Sequence, residues 1–186
     1  KKAFEEGADS VVCLCVSGEV SATYSSAVNA ADMLPDKDIE VIDTKNLSMG
    51  QGYMALAAAE AAAKGASKED VIKAALETGE KTSLFAALST LKYLAMSGRV
   101  GHLAAGMAGL LNIRPILTID GGKLEMLEKV RTQKKSWNRV MELVDENLNG
   151  ARIAKASIVH SNSPEMAKEF EALVRERLDT PDEIMI

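Results

Sequence analysis

The chain has 186 residues, 47% of them hydrophobic, with 22 Lys and Arg against 27 Asp and Glu and a formal net charge of −5. That length accommodates one large or two small domains with a real core, and the acidic balance supplies no electrostatic footprint for nucleic acid. No run of about 18 apolar residues and no basic-then-apolar leader is present, so a cytoplasmic protein without a stable membrane anchor is expected.

The elements follow in order. Lys2 to Gly7 reads as a helix and residues 10–17 as a buried strand. Cys13 and Cys15 point to the same face of that strand, cannot bridge each other comfortably, and read as small buried apolar side chains in a reducing compartment. Tyr24, Ala27, Val28, Ala31 and Leu34 recur at helical spacing over 22–33. A strand at 38–43 and helices at 48–64 and 67–81 come next, the last starting at Ser67 with Asp70 three residues on, an acidic form of the capping box. This alternation predicts βαβ units and a mostly parallel sheet.

Beyond Thr82 the pattern changes. Ser83 to Ser89 reads as a short strand, followed by helices near 90–96 and 102–111. Arg114 to Asp120 and Lys123 to Val130 flank Gly121-Gly122, which has the length and residue type of a tight hairpin turn. A helix from Thr132 to Leu148, a strand at 152–159 and a helix at 163–178, with Ser163 as N-cap and Pro164 at the first helical position, complete the pattern. The expected organisation is therefore an α/β domain over 1–82 and an α+β domain over 83–186.

The most telling segment is Ser17-Gly18-Glu19-Val20-Ser21-Ala22-Thr23-Tyr24-Ser25-Ser26, a hydroxyl-dense loop between a strand and a helix. A helix opening near Ala22 aims unpaired N–H groups and the positive end of its dipole at the end of the strand. Hydroxyls of Ser21, Thr23 and Ser25 join them. Such a junction suits a carboxylate or a phosphate and is where open α/β sheets bind ligands. A Ser at this place is also an ordinary helix cap.

Five collinear motifs carry a family resemblance. Val20-Ser21-Ala22-Thr23-Tyr24-Ser25-Ser26-Ala27 is one. Val41-Ile42-Asp43-Thr44 with Ser48-Met49-Gly50-Gln51-Gly52 is the second, and Thr90-Leu91-Lys92-Tyr93-Leu94 with Ser97-Gly98-Arg99-Val100 the third. Leu110-Leu111-Asn112-Ile113-Arg114-Pro115-Ile116-Leu117 and Lys129-Val130-Arg131-Thr132 complete them. Together they resemble the DegV family of bacterial fatty-acid-binding proteins (FakB-like) from Ala8 to the end. The chain has Ser17-Gly18 where that family usually has Ser-Ser, and Ala22 where it has Gly. The family's earlier Thr-Ser loop and later His-Thr-Gly-Pro-Gly loop are not in this sequence, so both ends of the family pattern are expected to be missing.

The resemblance implies a two-domain fold with a fatty acid between the domains and no enzymatic chemistry or cofactor of its own. It assigns the carboxylate to Ser21 with the N–H groups of Ala22 and Thr23, and places Arg99 near the head group or in support of its loop. It makes a separate fatty-acid kinase the partner, contacted through Arg131. The acyl chain would need an apolar tunnel, and nine methionines against seven aromatics are compatible with a pliable wall.

Two other readings compete. Gly50-Gln51-Gly52-Tyr53-Met54-Ala55 fits the dinucleotide fingerprint, although several residues separate it from Asp43 and the expected later acidic residue is lacking. A serine hydrolase using Ser21 lacks the nucleophile elbow, and neither His102 nor His160 stands in a context that marks a catalytic base. The two histidines lie far from the cysteines in sequence, so no metal site is expected.

Overall fold

A computed structural model of the chain describes residues 1–99 and 113–186. It divides into two units, Lys1–Leu84 with Ile119–Glu125, and Phe85–Thr118 with Met126–Ile186.

In the first unit, α1 (Lys2–Glu5) leads to β1 (Val11–Cys15), α2 (Thr23–Asp32), β2 (Ile39–Asp43), α3 (Ser48–Ala63) and α4 (Lys68–Glu80). β1 and β2 run parallel in a register that matches Val11 to Ile39 and Cys15 to Asp43, as the alternation predicts. The core gathers where α3 meets α4. Met54, Ala58, Val71 and Ala75 are buried there, with Val12 and Leu14 of β1 packed against them. Alanine on α3 favours helix and keeps the neighbouring surfaces close. Ser67 caps α4 as expected, its Oγ accepting the Asp70 N–H at 3.1 Å.

The second unit contains β3 (Ala86–Ala87), α5 (Lys92–Met96), β4 (Arg114–Asp120), β5 (Lys123–Val130), α6 (Gln133–Leu148), β6 (Ala156–Ser157), α7 (Pro164–Arg177) and β7 (Ile184–Met185). β3, β4 and β5 form one sheet in that order, and the tip of the β4–β5 hairpin is counted with the first unit. Gly121 and Gly122 have φ of 54° and 89°, the left-handed pair that a two-residue hairpin turn demands. Ile116, Val140, Met141, Val174 and Ile184 make the core, and Trp137 packs on Phe170 with ring centroids 5.3 Å apart. Thr132 caps α6 by accepting the Lys135 N–H.

Three expectations change. The strand expected at 152–159 is confined to β6, whose Ala156 and Ser157 pair in parallel with Ile184 and Met185 of β7. Ser163 makes no side-chain cap to α7; its hydroxyl donates to the Ser161 carbonyl and its N–H to His160 Nδ1. The strand at 83–89 shortens to Ala86–Ala87. The helix expected at 102–111, with His102, lies outside the described residues. Among the described residues no helix is long and apolar enough to cross a membrane.

Candidate functional site

The loop from β1 to α2 is organised by Ser17, which is fully buried. Its N–H donates to the Asn46 carbonyl, and its own carbonyl accepts the N–H groups of both Val20 and Ser21 at 3.0 Å. Its hydroxyl donates to the Gly122 carbonyl at 2.7 Å and accepts the Glu19 N–H at 3.3 Å. Beside it, Asp43 Oδ1 accepts the N–H groups of Gly18 and Lys45. Thr44 Oγ1 donates to the Cys15 carbonyl at 2.7 Å, tying the ends of the two strands together.

Above this base, Ser21 Oγ lies 2.8 Å from Thr23 Oγ1 and accepts the Thr23 N–H at 3.2 Å. The Thr23 amide, expected as a ligand donor, is thus turned onto Ser21. The Ala22 N–H has no protein acceptor among the described residues, and its carbonyl accepts the Ser26 N–H to begin α2. Ala22 has φ −72°, so alanine fits here without the strain that a glycine-requiring backbone would impose. Gly18 is explained by space. A Cβ there would stand 3.1 Å from Asp43 Oδ2.

The electrostatics favour an anion. The first turn of α2 carries no acidic residue, so its positive end is not neutralised from within. Glu19 pairs with Lys123 at 3.8 Å, and Asp43 is engaged by two amides. One proton of the Ser21–Thr23 hydroxyl pair is used between them. The other is free to donate outward.

The remaining predicted residues lie in the second unit. Arg99 is exposed and closes the end of α5, its Nη1 donating to the Ser97 carbonyl at 2.7 Å and its N–H to the Leu94 carbonyl, beside Gly98 at φ 74°. Arg131 is exposed where β5 hands over to α6. His160 accepts the Ser163 N–H, a turn contact. Among the described residues no three His, Cys, Asp or Glu side chains cluster as a metal site.

Gly50 of the fingerprint-like run is buried because a Cβ there would overlap the Asn46 side chain, and a Cβ on Gly52 would meet Met49 at 3.1 Å. Packing accounts for Gly50, while the atoms near Gly52 are only the flexible end of Met49. A groove of about 430 Å³ runs along α3 and α4 past Ala57, Ala61 and Ala74, and one of about 230 Å³ lies by Leu148, Arg152 and Leu178; Ser21 lines neither. Sequence reasoning singled out Ser21 but did not assign Ser17, Thr44 and Asn46 as the base of its loop. Ser17 opens the hydroxyl-dense segment and Thr44 follows Asp43 in a motif, but neither position announces its long-range partner.

A family model described as "Uncharacterised protein, DegV family" matches residues 1–186. A DegV domain-containing protein of Streptomyces coelicolor is 36% identical over 174 residues, covering 94% of this chain and 61% of that protein. The crystal structure of a DegV family protein from Corynebacterium glutamicum aligns with a TM-score of 0.90 at 32% identity, over 99% of this chain and 69% of that one. DegV from Bacillus subtilis, described as a fatty acid binding protein, aligns with a TM-score of 0.81 at 31% identity, over 98% and 65%. The chain belongs to the DegV family, and it spans about three fifths of the length of the curated relatives it matches.

Proposed function

We propose that this chain belongs to a fatty-acid-binding protein that holds its ligand's carboxylate at the Ser21 loop and performs no chemistry itself. The observation that carries the reading is the fatty acid binding description of the Bacillus subtilis relative with the same fold. The acid-free start of α2, with the Ala22 N–H and one hydroxyl proton of the Ser21–Thr23 pair open, supports it. Ser21 and Ala22 donate to the carboxylate, and Thr23 orients Ser21.

The acyl chain supplies most of the affinity. Each buried methylene is worth about 0.8 kcal/mol, so a dozen contribute on the order of 10 kcal/mol before ordering costs. The donors at the loop spare the carboxylate an unpaired burial, which is expensive. Arg99 supports the head group or its loop. The bound acid is then presented in the cytoplasm to a separate fatty-acid kinase, with exposed Arg131 as a contact for that kinase or its phosphate.

Native mass spectrometry of the full-length protein tests the binding. A co-purifying long-chain fatty acid is expected, and a nucleotide mass or a clean apo species overturns the reading. Arg131→Ala is expected to lower kinase-dependent acyl-phosphate formation at limiting protein. An unchanged rate removes Arg131 from the partner surface.

A further inference from the structure

Gly122, at the tip of the β4–β5 hairpin, sits directly on the base of the Ser21 loop. A Cβ at Gly122 would stand 2.7 Å from Ser17 Oγ, 3.4 Å from Lys45 Cβ and 3.5 Å from Glu19 Cγ. The backbone there has φ 89°, so glycine is required for conformation and for space at once. The Ser17 hydroxyl spans 105 positions of sequence to reach the Gly122 carbonyl. With its other oxygen capacity it holds the Glu19 N–H, while the Ser17 carbonyl holds Val20 and Ser21.

We propose that Ser17 is a positioning residue for the Ser21 loop and that Gly122 is its anchor, so the loop's donors are aimed only while the hairpin tip is seated on Ser17. The proposal rests on the reading of the Ser21 loop as the carboxylate site. Its mechanical half, that the tip holds the loop, stands on geometry alone. Ser17→Ala removes both bonds of one hydroxyl and leaves the Gly122 carbonyl without its buried donor. The Glu19, Val20 and Ser21 amides then lose their fixed platform, although neither Ser17 nor Gly122 is assigned a contact with ligand.

Hydrogen exchange and fluorescent fatty-acid displacement on full-length wild type, Ser17→Ala and Ser17→Thr test this. Ser17→Ala is expected to speed exchange of the Glu19, Val20 and Ser21 amides by about 5- to 30-fold, the factor that a lost buried hydrogen bond corresponds to. Amides of α4 should be unchanged, and fatty-acid affinity should fall by a similar factor. Ser17→Thr, which keeps the hydroxyl, should recover most of both. Unchanged loop exchange, or acceleration spread equally over α4, overturns the proposal, because a residue that only stabilises the fold loosens everything together. Should Ser17→Ala fail to fold, Gly122→Ala provides the second variant, with the same local pattern expected from displacing the anchor. If wild type binds no fatty acid, the proposed function fails, and the exchange pattern alone decides whether the tip holds the loop.

Discussion

Ser21 Oγ and Thr23 Oγ1 lie 2.8 Å apart at the open end of α2, and Ser21 Oγ also accepts the Thr23 N–H. The serine oxygen therefore holds the first amide of α2 and shares in the hydroxyl pair that has one proton left to donate. These two roles separate by experiment.

Ser21→Ala should weaken binding of a long-chain fatty acid by about 10- to 100-fold, the worth of a hydrogen bond to a charged group. Thermal stability should change little, since one exposed hydrogen bond to the Thr23 amide is worth about 1 kcal/mol. Fluorescent fatty-acid displacement reads the first and thermal unfolding the second. Equal affinity for wild type and variant removes Ser21 from the carboxylate site.

Gly50→Ala should destabilise the fold by about 1–3 kcal/mol, the range for forcing extra atoms into a packed site, because the new methyl overlaps the Asn46 side chain. Asn46 in turn receives the Ser17 N–H, so the damage reaches the Ser21 loop. Urea unfolding measures it. A variant of wild-type stability would show that the glycine is there for something other than space.

Cys13 and Cys15 have sulfurs 3.7 Å apart, on one face of β1 as their spacing predicts. Burial pushes the Cys15 thiol from its ordinary value of 9.0 up to about 11, with the hydrogen bond and charge of Cys13 and the charge of Asp43 acting in the same direction. A thiol that keeps its proton longer when folded leaves stability untouched below pH 9 and costs stability as pH rises from 9 towards 11. Urea midpoints for wild type should fall across that window more steeply than for Cys15→Ala. Parallel curves would assign the fall to other groups. In the native state at pH 8, alkylation should label Cys15 far more slowly than an unfolded cysteine.

Arg139 gathers three carboxylates, Glu128 at 2.6 Å and Glu142 and Glu146 at 2.9 Å, and their hydrogen bonds hold the guanidinium well above its ordinary range. Arg139→Met keeps most of the apolar stem but leaves three like charges facing one another. The loss of stability should be larger at pH 7 than at pH 3, where protonated carboxyl groups no longer repel. Equal losses at both pH values would assign the role of Arg139 to packing of its stem.

Features whose physics is local were legible in the sequence. The Ser67–Asp70 cap and the Gly121-Gly122 turn each lie within four residues, and each formed as expected. Ser163 misled because its hydroxyl turns back to the Ser161 carbonyl instead of to α7. The extent of β6 is set by pairing with β7, about 28 positions further on, which no window around Ala156 contains. The bracing role of Ser17 was not legible, because its partners, Asn46 and Gly122, lie far along the chain. The methionine count, compatible with a pliable wall, does not locate one: Met54 and Met141 lie in the cores and Met33 and Met96 are exposed.

Residues 119–125 complete a unit whose other residues all precede position 85. An excised fragment ending at Leu84 would therefore expose Ser17 without its carbonyl acceptor and Glu19 without Lys123. Subcloning this half with a single cut removes a piece of its own architecture. Grafting the seven-residue turn back through a designed linker, or keeping the chain whole, is what an expression strategy for the ligand-loop half has to provide.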